Sequence, residues 1–194
     1  MASKHAHHLT GWAAGLAAAA VVSHSGGGGP FYVWSLVAGA MAISGATAPD
    51  WLEVAWWTKR RTLWITHRTL THWGLAWIAL WVVCYRALGH SVLAAPGFGF
   101  ATGGLMHLLA DWPNPLGIPW IFRRHSLNLW NSGRGDSLVV AAAWCAALLV
   151  SDHVWFHDRQ TLHMLHDLWV TQAQAGANHL DRPQRYPGRW ARIT

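Results

Sequence analysis

The sequence predicts an all-α protein, a polytopic membrane helical bundle with four or five spans and an amphipathic C-terminal helix. Hydrophobic residues make up 53% of the 194 residues and charged residues only 11%, under half of the roughly 25% found in soluble domains. So few charges cannot cover a surface that faces water. In addition, 16 residues are Trp, and many of these rings lie near the ends of apolar runs, where amphipathic rings anchor at lipid headgroups.

Five apolar runs are the candidate spans, and they cover residues 9–22, 31–48, 73–88, 92–109 and 138–150. Segments that cross a bilayer must be helices here, because every backbone polar group needs an internal partner. Most runs are shorter than the roughly 20 residues of a spanning helix, which leaves the count at four or five. We expect residues 1–155 to form the membrane-embedded domain and residues 156–194 an amphipathic helix with a basic tail. In that helix, His163 and Asp167 would share one surface face.

Basic residues indicate which ends of the spans face the cytoplasm. With five spans, the N-terminus and the connections at 49–72 and 110–137 share one side. They contain Lys4, Lys59, Arg60, Arg61, Arg68, Arg123, Arg124 and Arg134, whereas the other two connections contain only Arg86. The positive-inside tendency places this face in the cytoplasm. The Arg-rich tail conflicts with that topology, and its side stays open. We assign the net charge of +6 to contacts with anionic lipid rather than nucleic acid.

Ionisable residues gather at the ends of the spans on the same face. They are His7, His8, Asp50, Glu53, His67, Arg68, His72, His107, Asp111 and Asp136. Each is a functional candidate, because a carboxylate or imidazole near hydrocarbon costs free energy unless it is paired or bound. His107 and Asp111 are spaced i, i+4 and share a helix face. Together with the other histidines and Asp50 they predict a metal site, and mixed nitrogen and oxygen ligands favour zinc over manganese or iron.

Two strings of the sequence also carry a family resemblance. Residues 67–72 read HRTLTH and residues 104–119 read GLMHLLADWPNPLGIP, with His7-x-x-x-Gly11 and Pro49-Asp50 before them. In order and approximate spacing over residues 5–137, these strings resemble the YdjM-like family of bacterial inner-membrane, metal-dependent hydrolases, which is distantly similar to zinc-dependent phospholipases C. The resemblance implies a multi-pass protein of the bacterial inner membrane with a hydrolytic metal site within residues 1–155.

This reading gives each candidate residue a role. The metal ligands would be His7, Asp50, His67, His72, His107 and Asp111, with zinc as the cofactor and His8 as an alternative outer contact. Glu53 or Asp136 would orient the attacking water or accept a hydrogen bond from a ligand histidine. Arg68 would hold a phosphate group by forked hydrogen bonds. Arg123 and Arg124 would either do the same or bind anionic lipid. The substrate would be a phosphoester, such as a phospholipid at the cytoplasmic membrane face.

Other functions stay open at this stage. A second candidate is a non-catalytic membrane scaffold or partner subunit with a structural or vestigial metal site. It is motivated by the Trp-rich surface and by the altered acidic motif, in which Leu52 stands where the family often has a second Asp. Asn114, in place of the usual Thr, is a further departure from the family pattern. A transporter or proton relay ranks last, because the ionisable residues lie at the ends of spans rather than in their middle. The expected partners are anionic membrane lipids, with other membrane proteins or a second copy of the chain as further candidates.

Overall fold

The computed structural model of this chain describes residues 2–25, 31–57, 70–121, 123–131, 133–157, 169–171 and 174. These residues form a mainly helical fold, as the sequence predicts. The α-helices are α1 (Lys4–His24), α2 (Phe31–Gly45), α3 (Ala48–Trp57), α4 (Gly74–Arg86), α5 (Ala94–Asp111) and α6 (Asp136–Asp152). A 3-10 turn covers Leu70–His72 and a π turn covers His153–His157. A short antiparallel hairpin pairs β1 (Ile118–Pro119) with β2 (Arg124–His125).

Glycines allow α2 and α5 to pack backbone against backbone. A Cβ atom at Gly99 would clash with the carbonyl of Ala38, and one at Gly103 would clash with the carbonyl of Ala42. Ala38 and Ala42 are fully buried at this contact. Small residues at helix contacts are typical of membrane bundles, where close backbone approach supplies the packing energy. The close approach fixes the height of α5 against α2 and so places the C-terminal end of α5 beside the end of α2.

A tryptophan joins α4 to α5 and to the 3-10 turn. The Trp77 ring lies where a Cβ atom of Gly104 would be, so that only glycine at this position lets the ring reach α5. The indole Nε1–H of Trp77 donates a hydrogen bond to the carbonyl of Thr71 at 2.7 Å. This bond holds the turn that carries His72 close to the C-terminal half of α5.

Among the described residues, one helix is long and apolar enough to cross a bilayer. It runs from Asp136 to Phe156, with a mean hydropathy of 1.7, and only 17% of its apolar window is buried. Two shorter apolar helices cover Val33–Gly45 and Gly74–Arg86. The predicted number of four or five spans therefore stays a prediction, because these two apolar helices are shorter than the roughly 20 residues of a spanning helix.

The chain divides into two compact units, Met1–His157 and Asp158–Thr194. Of the second unit, the structure describes only residues 169–171 and 174. The predicted amphipathic helix, with His163 and Asp167, therefore lies for the most part outside the described residues.

Candidate metal centre

Two carboxylates hold the start of α1. The backbone N–H of Ala2 donates to Oδ1 of Asp111 at 2.8 Å, and the N–H of Ser3 donates to Oδ2 of Asp136 at 2.9 Å. Ser3 is the N-cap residue, and its hydroxyl accepts a hydrogen bond from the N–H of Ala6. The first turn of α1 contains no acidic residue, so that carboxylates from other helices supply the negative charge favoured at a helix N-terminus. This anchoring fixes the position of His7, one turn into the helix.

The structure brings five of the six predicted ligands together. They are His7 of α1, Asp50 of α3, His72 of the 3-10 turn, and His107 and Asp111 of α5. They form two groups of three that share His107: His7 and Asp111 complete one group, Asp50 and His72 the other. Within each group the ligand atoms all lie within 4.8 Å of one another. The sixth predicted ligand, His67, lies outside the described residues.

Ligand atoms surround Nε2 of His107 at nearly equal distances. His72 Nε2 is 3.3 Å away, Asp50 Oδ1 3.6 Å and Asp111 Oδ2 3.8 Å. Ligands in a tetrahedral zinc site, with bonds of about 2.0–2.2 Å, lie about 3.4 Å from one another. Each of these distances is close to that spacing, so that within either group of three the ligands are near enough to share one small divalent ion.

A backbone carbonyl sets the tautomer of His107. Its Nδ1 lies 2.8 Å from the carbonyl oxygen of Ala46, just beyond the end of α2. A carbonyl can only accept, so Nδ1 carries the proton and Nε2 presents its lone pair to the cluster. Metal-binding histidines have this arrangement, with the second ring nitrogen bonded to a carbonyl or carboxylate that orients the ring. No residue type in the sequence indicates this partner, because the acceptor is a backbone group.

Unpaired buried atoms point to a cation in the cluster. Both ring nitrogens of His7 and Oδ1 of Asp50 are buried, and none has a hydrogen-bond partner among the described residues. His7 is only 2% exposed. Because buried polar atoms without partners are rare in folded proteins, the lone pair on one His7 ring nitrogen and those on Asp50 Oδ1 are available to a cation. A divalent metal ion would bind these lone pairs, and the donor set of imidazoles and carboxylates suits zinc.

A cavity of about 300 Å³ reaches the cluster from one side. Its wall contains His7 and Asp50 together with Lys4, His8, Thr47 and Trp51. The volume is at the lower end of the roughly 300–1,000 Å³ of small-molecule sites. Lys4 and Thr47 were not singled out from the sequence as site residues. The available signal was the i, i+3, i+4 spacing of Lys4, His7 and His8, which places them on one face of α1.

The remaining predicted site residues have different surroundings. The carboxylate of Asp136 accepts a hydrogen bond from the N–H of Ser3. Its role in orienting the attacking water stays a prediction. Glu53 lies in α3, but its side chain is outside the described part of the structure, as is all of Arg68. Arg123 and Arg124 are exposed, with Arg124 in β2.

Comparison with known proteins identifies a family for this chain. A family model described as YdjM inner membrane protein matches residues 1–171. None of the curated proteins and none of the solved structures compared with the chain matches it. The matched range contains all five clustered ligands, and it extends to residue 171, beyond the sequence resemblance over residues 5–137.

Proposed function

The chain belongs to the YdjM family of inner membrane proteins, and on that premise we propose that it is a membrane-bound, zinc-dependent hydrolase. Its substrate is a phosphoester, such as a phospholipid, at the cytoplasmic face of the membrane. The protein crosses the membrane with four or five spans and contacts anionic lipids. The ligands His7, Asp50, His72, His107 and Asp111 support the metal part of this proposal.

One observation carries the proposal: the buried ligand cluster has an open side. Structural zinc sites are closed by four protein ligands, whereas catalytic sites leave a position for water and substrate. Here Asp50 is partly exposed, at 35% of its side chain, and it lines the cavity together with His7. A substrate in this cavity would therefore lie directly against two of the ligands.

The surrounding residues would perform separate tasks in hydrolysis. Zinc, when bound, would supply hydroxide at neutral pH, because it lowers the pKa of its bound water to about 7. Asp111 presents Oδ1 towards His7 and Oδ2 towards His107, so that one carboxylate orders both imidazoles. Lys4, in the cavity wall, would bind an oxygen of the phosphoester as a point charge.

A second candidate function is a membrane scaffold with a structural metal ion. It is favoured by the burial of four of the ligands, since His7, His72, His107 and Asp111 are all at most 2% exposed. Three of them, His7, His107 and Asp111, form one of the two groups of three, and this fully buried group would hold a structural ion away from solvent. In that case the metal would stabilise the contact between α1 and α5 without any turnover.

Metal analysis of detergent-purified protein, followed by a hydrolysis assay, tests the proposal. We expect near-stoichiometric zinc in the wild type and its loss in His107→Ala. His90→Ala is the matched control, because His90 lies between α4 and α5 at the far end of α5 from the cluster. Hydrolysis of a phosphodiester that depends on His107 but not on His90 would support the hydrolase. Zinc binding without any such hydrolysis would favour the scaffold, and wild-type protein that binds no supplied zinc would overturn the metal centre.

A further inference from the structure

An apolar crevice lies beside the metal cluster, separate from the cavity that contains Lys4. Its volume is about 470 Å³, within the range of small-molecule sites. Residues from α3, the 3-10 turn, α4 and α5 line it, among them Leu52, Thr71, Ala76, Trp77, Leu80 and Phe100. Among the lining residues that the structure describes, Thr71 is the one polar residue, so that they offer few partners to a polar ligand.

The crevice and the metal cluster share two segments of chain. Thr71 directly precedes the ligand His72, and its hydroxyl oxygen is 3.2 Å from Nδ1 of that ring. Leu52 lies two residues after the ligand Asp50, in the same helix. A molecule in the crevice would therefore end close to the metal ligands, with its apolar part against α4 and α5.

The crevice is continuous with an apolar outer surface of α4. Ala76 is exposed and Leu80 is 39% exposed, and both belong to the lining. Leu75, Ile78, Val82 and Val83 are also exposed along this helix. Because the chain is a member of an inner membrane protein family, such a surface would contact the acyl chains of the bilayer. The crevice would therefore open towards the hydrocarbon interior of the bilayer.

We propose that the crevice binds one acyl chain of a membrane lipid whose phosphoester lies at the metal cluster. The inference rests on the proposed function and narrows it, because it names a lipid rather than a water-soluble phosphoester as the substrate. An acyl chain fits the lining better than a peptide segment does, since a peptide backbone would leave polar groups unbonded against apolar side chains.

A photoactivatable lipid tests this assignment. The probe is phosphatidylglycerol with a diazirine near the end of one acyl chain, mixed into detergent micelles with the full-length protein. Ala76→Trp fills the crevice from an exposed position of α4. Ala79→Trp is the matched control, because Ala79 is exposed on the same helix but does not line the crevice.

We expect mass spectrometry to find the adduct on Phe100 in the wild type and in Ala79→Trp. In Ala76→Trp the labelling should fall about tenfold, because the indole ring occupies volume that the acyl chain would need. Zinc content should be equal in all three proteins, which verifies that the variants fold. Hydrolysis of the long-chain lipid should fall in Ala76→Trp, whereas that of bis(4-nitrophenyl) phosphate, which has no acyl chain, should not.

The labelling and hydrolysis results separate the two proposals. Equal labelling of Phe100 in Ala76→Trp and Ala79→Trp, or no labelling of Phe100 in the wild type, would overturn the acyl-chain assignment. Loss of labelling in Ala76→Trp but not in Ala79→Trp would support the crevice as a lipid site. If the wild-type protein at the same time hydrolyses neither substrate, the hydrolase is rejected while the lipid site stands.

Discussion

The imidazole rings of His7 and His107 stack face to face, with their centroids 3.9 Å apart and their planes inclined by 12°. One ring comes from the first turns of α1 and the other from the last turns of α5. The carboxylate of Asp111 is close to both rings. Its Oδ1 is 3.6 Å from Nε2 of His7, and its Oδ2 is 3.8 Å from Nε2 of His107. One carboxylate therefore serves both imidazoles, and its removal should affect both.

Asp111→Asn should remove most of the bound zinc and the turnover while the protein still inserts and purifies. The amide keeps the size of the side chain and an oxygen for the N–H of Ala2, but it loses the charge that a cation needs. Elemental analysis and a phosphodiester assay measure the two effects. Asp152→Asn, at the far end of α6, should change neither. Unchanged zinc in Asp111→Asn would remove this residue from the ligand set.

Asp136 should act through the position of α1. Asp136→Ala removes the acceptor for the N–H of Ser3 and should cost about 1 kcal/mol of stability, as the loss of an N-terminal cap does, with weaker zinc binding. Asp136→Asn keeps an acceptor oxygen and should restore much of both. Thermal unfolding and competition for zinc with a chelator are the measurements. If Asp136→Asn instead abolishes turnover with zinc binding intact, the carboxylate acts in catalysis, as the sequence predicts.

Lys4→Gln should raise KM for an anionic phosphoester about tenfold and leave kcat and zinc content nearly unchanged. The reason is that the ammonium group, in the cavity wall, would make one charged hydrogen bond to the substrate. Lys4→Arg should retain most of the binding. His5→Gln is the control, because His5 is exposed on α1 and is not part of that wall. A KM that is the same in Lys4→Gln and the wild type would place the substrate elsewhere.

Gly99→Ala should destabilise the bundle by about 1–3 kcal/mol, because the new methyl group clashes with the backbone carbonyl of Ala38. Gly97→Ala, one half-turn earlier, should be close to neutral. Its methyl group meets the Cys84 side chain, which can move, and alanine favours the helix by up to about 1 kcal/mol. Thermal unfolding in detergent compares the two. Equal stability of both variants would contradict backbone contact between α2 and α5.

The helical class and the family were predictable because their signals are local. Few charges and many apolar residues indicate helices in a membrane, and the strings at 67–72 and 104–119 identify the family, which the match over residues 1–171 confirms. The number of spans was not predictable to the same degree. A span count depends on where each helix ends relative to a bilayer, and only Asp136–Phe156 is long and apolar enough within the described residues.

The side chains that can bind a metal were identifiable from the sequence alone, because residue type and i, i+4 spacing are properties of one helix. The meeting of His7, Asp50 and His72 with the pair on α5 depends instead on how the helices pack. Their approach depends on glycine contacts between distant helices and on backbone partners such as the carbonyl of Ala46. Those partners carry no side-chain signal, and the distances between helices are set by packing rather than by any local pattern.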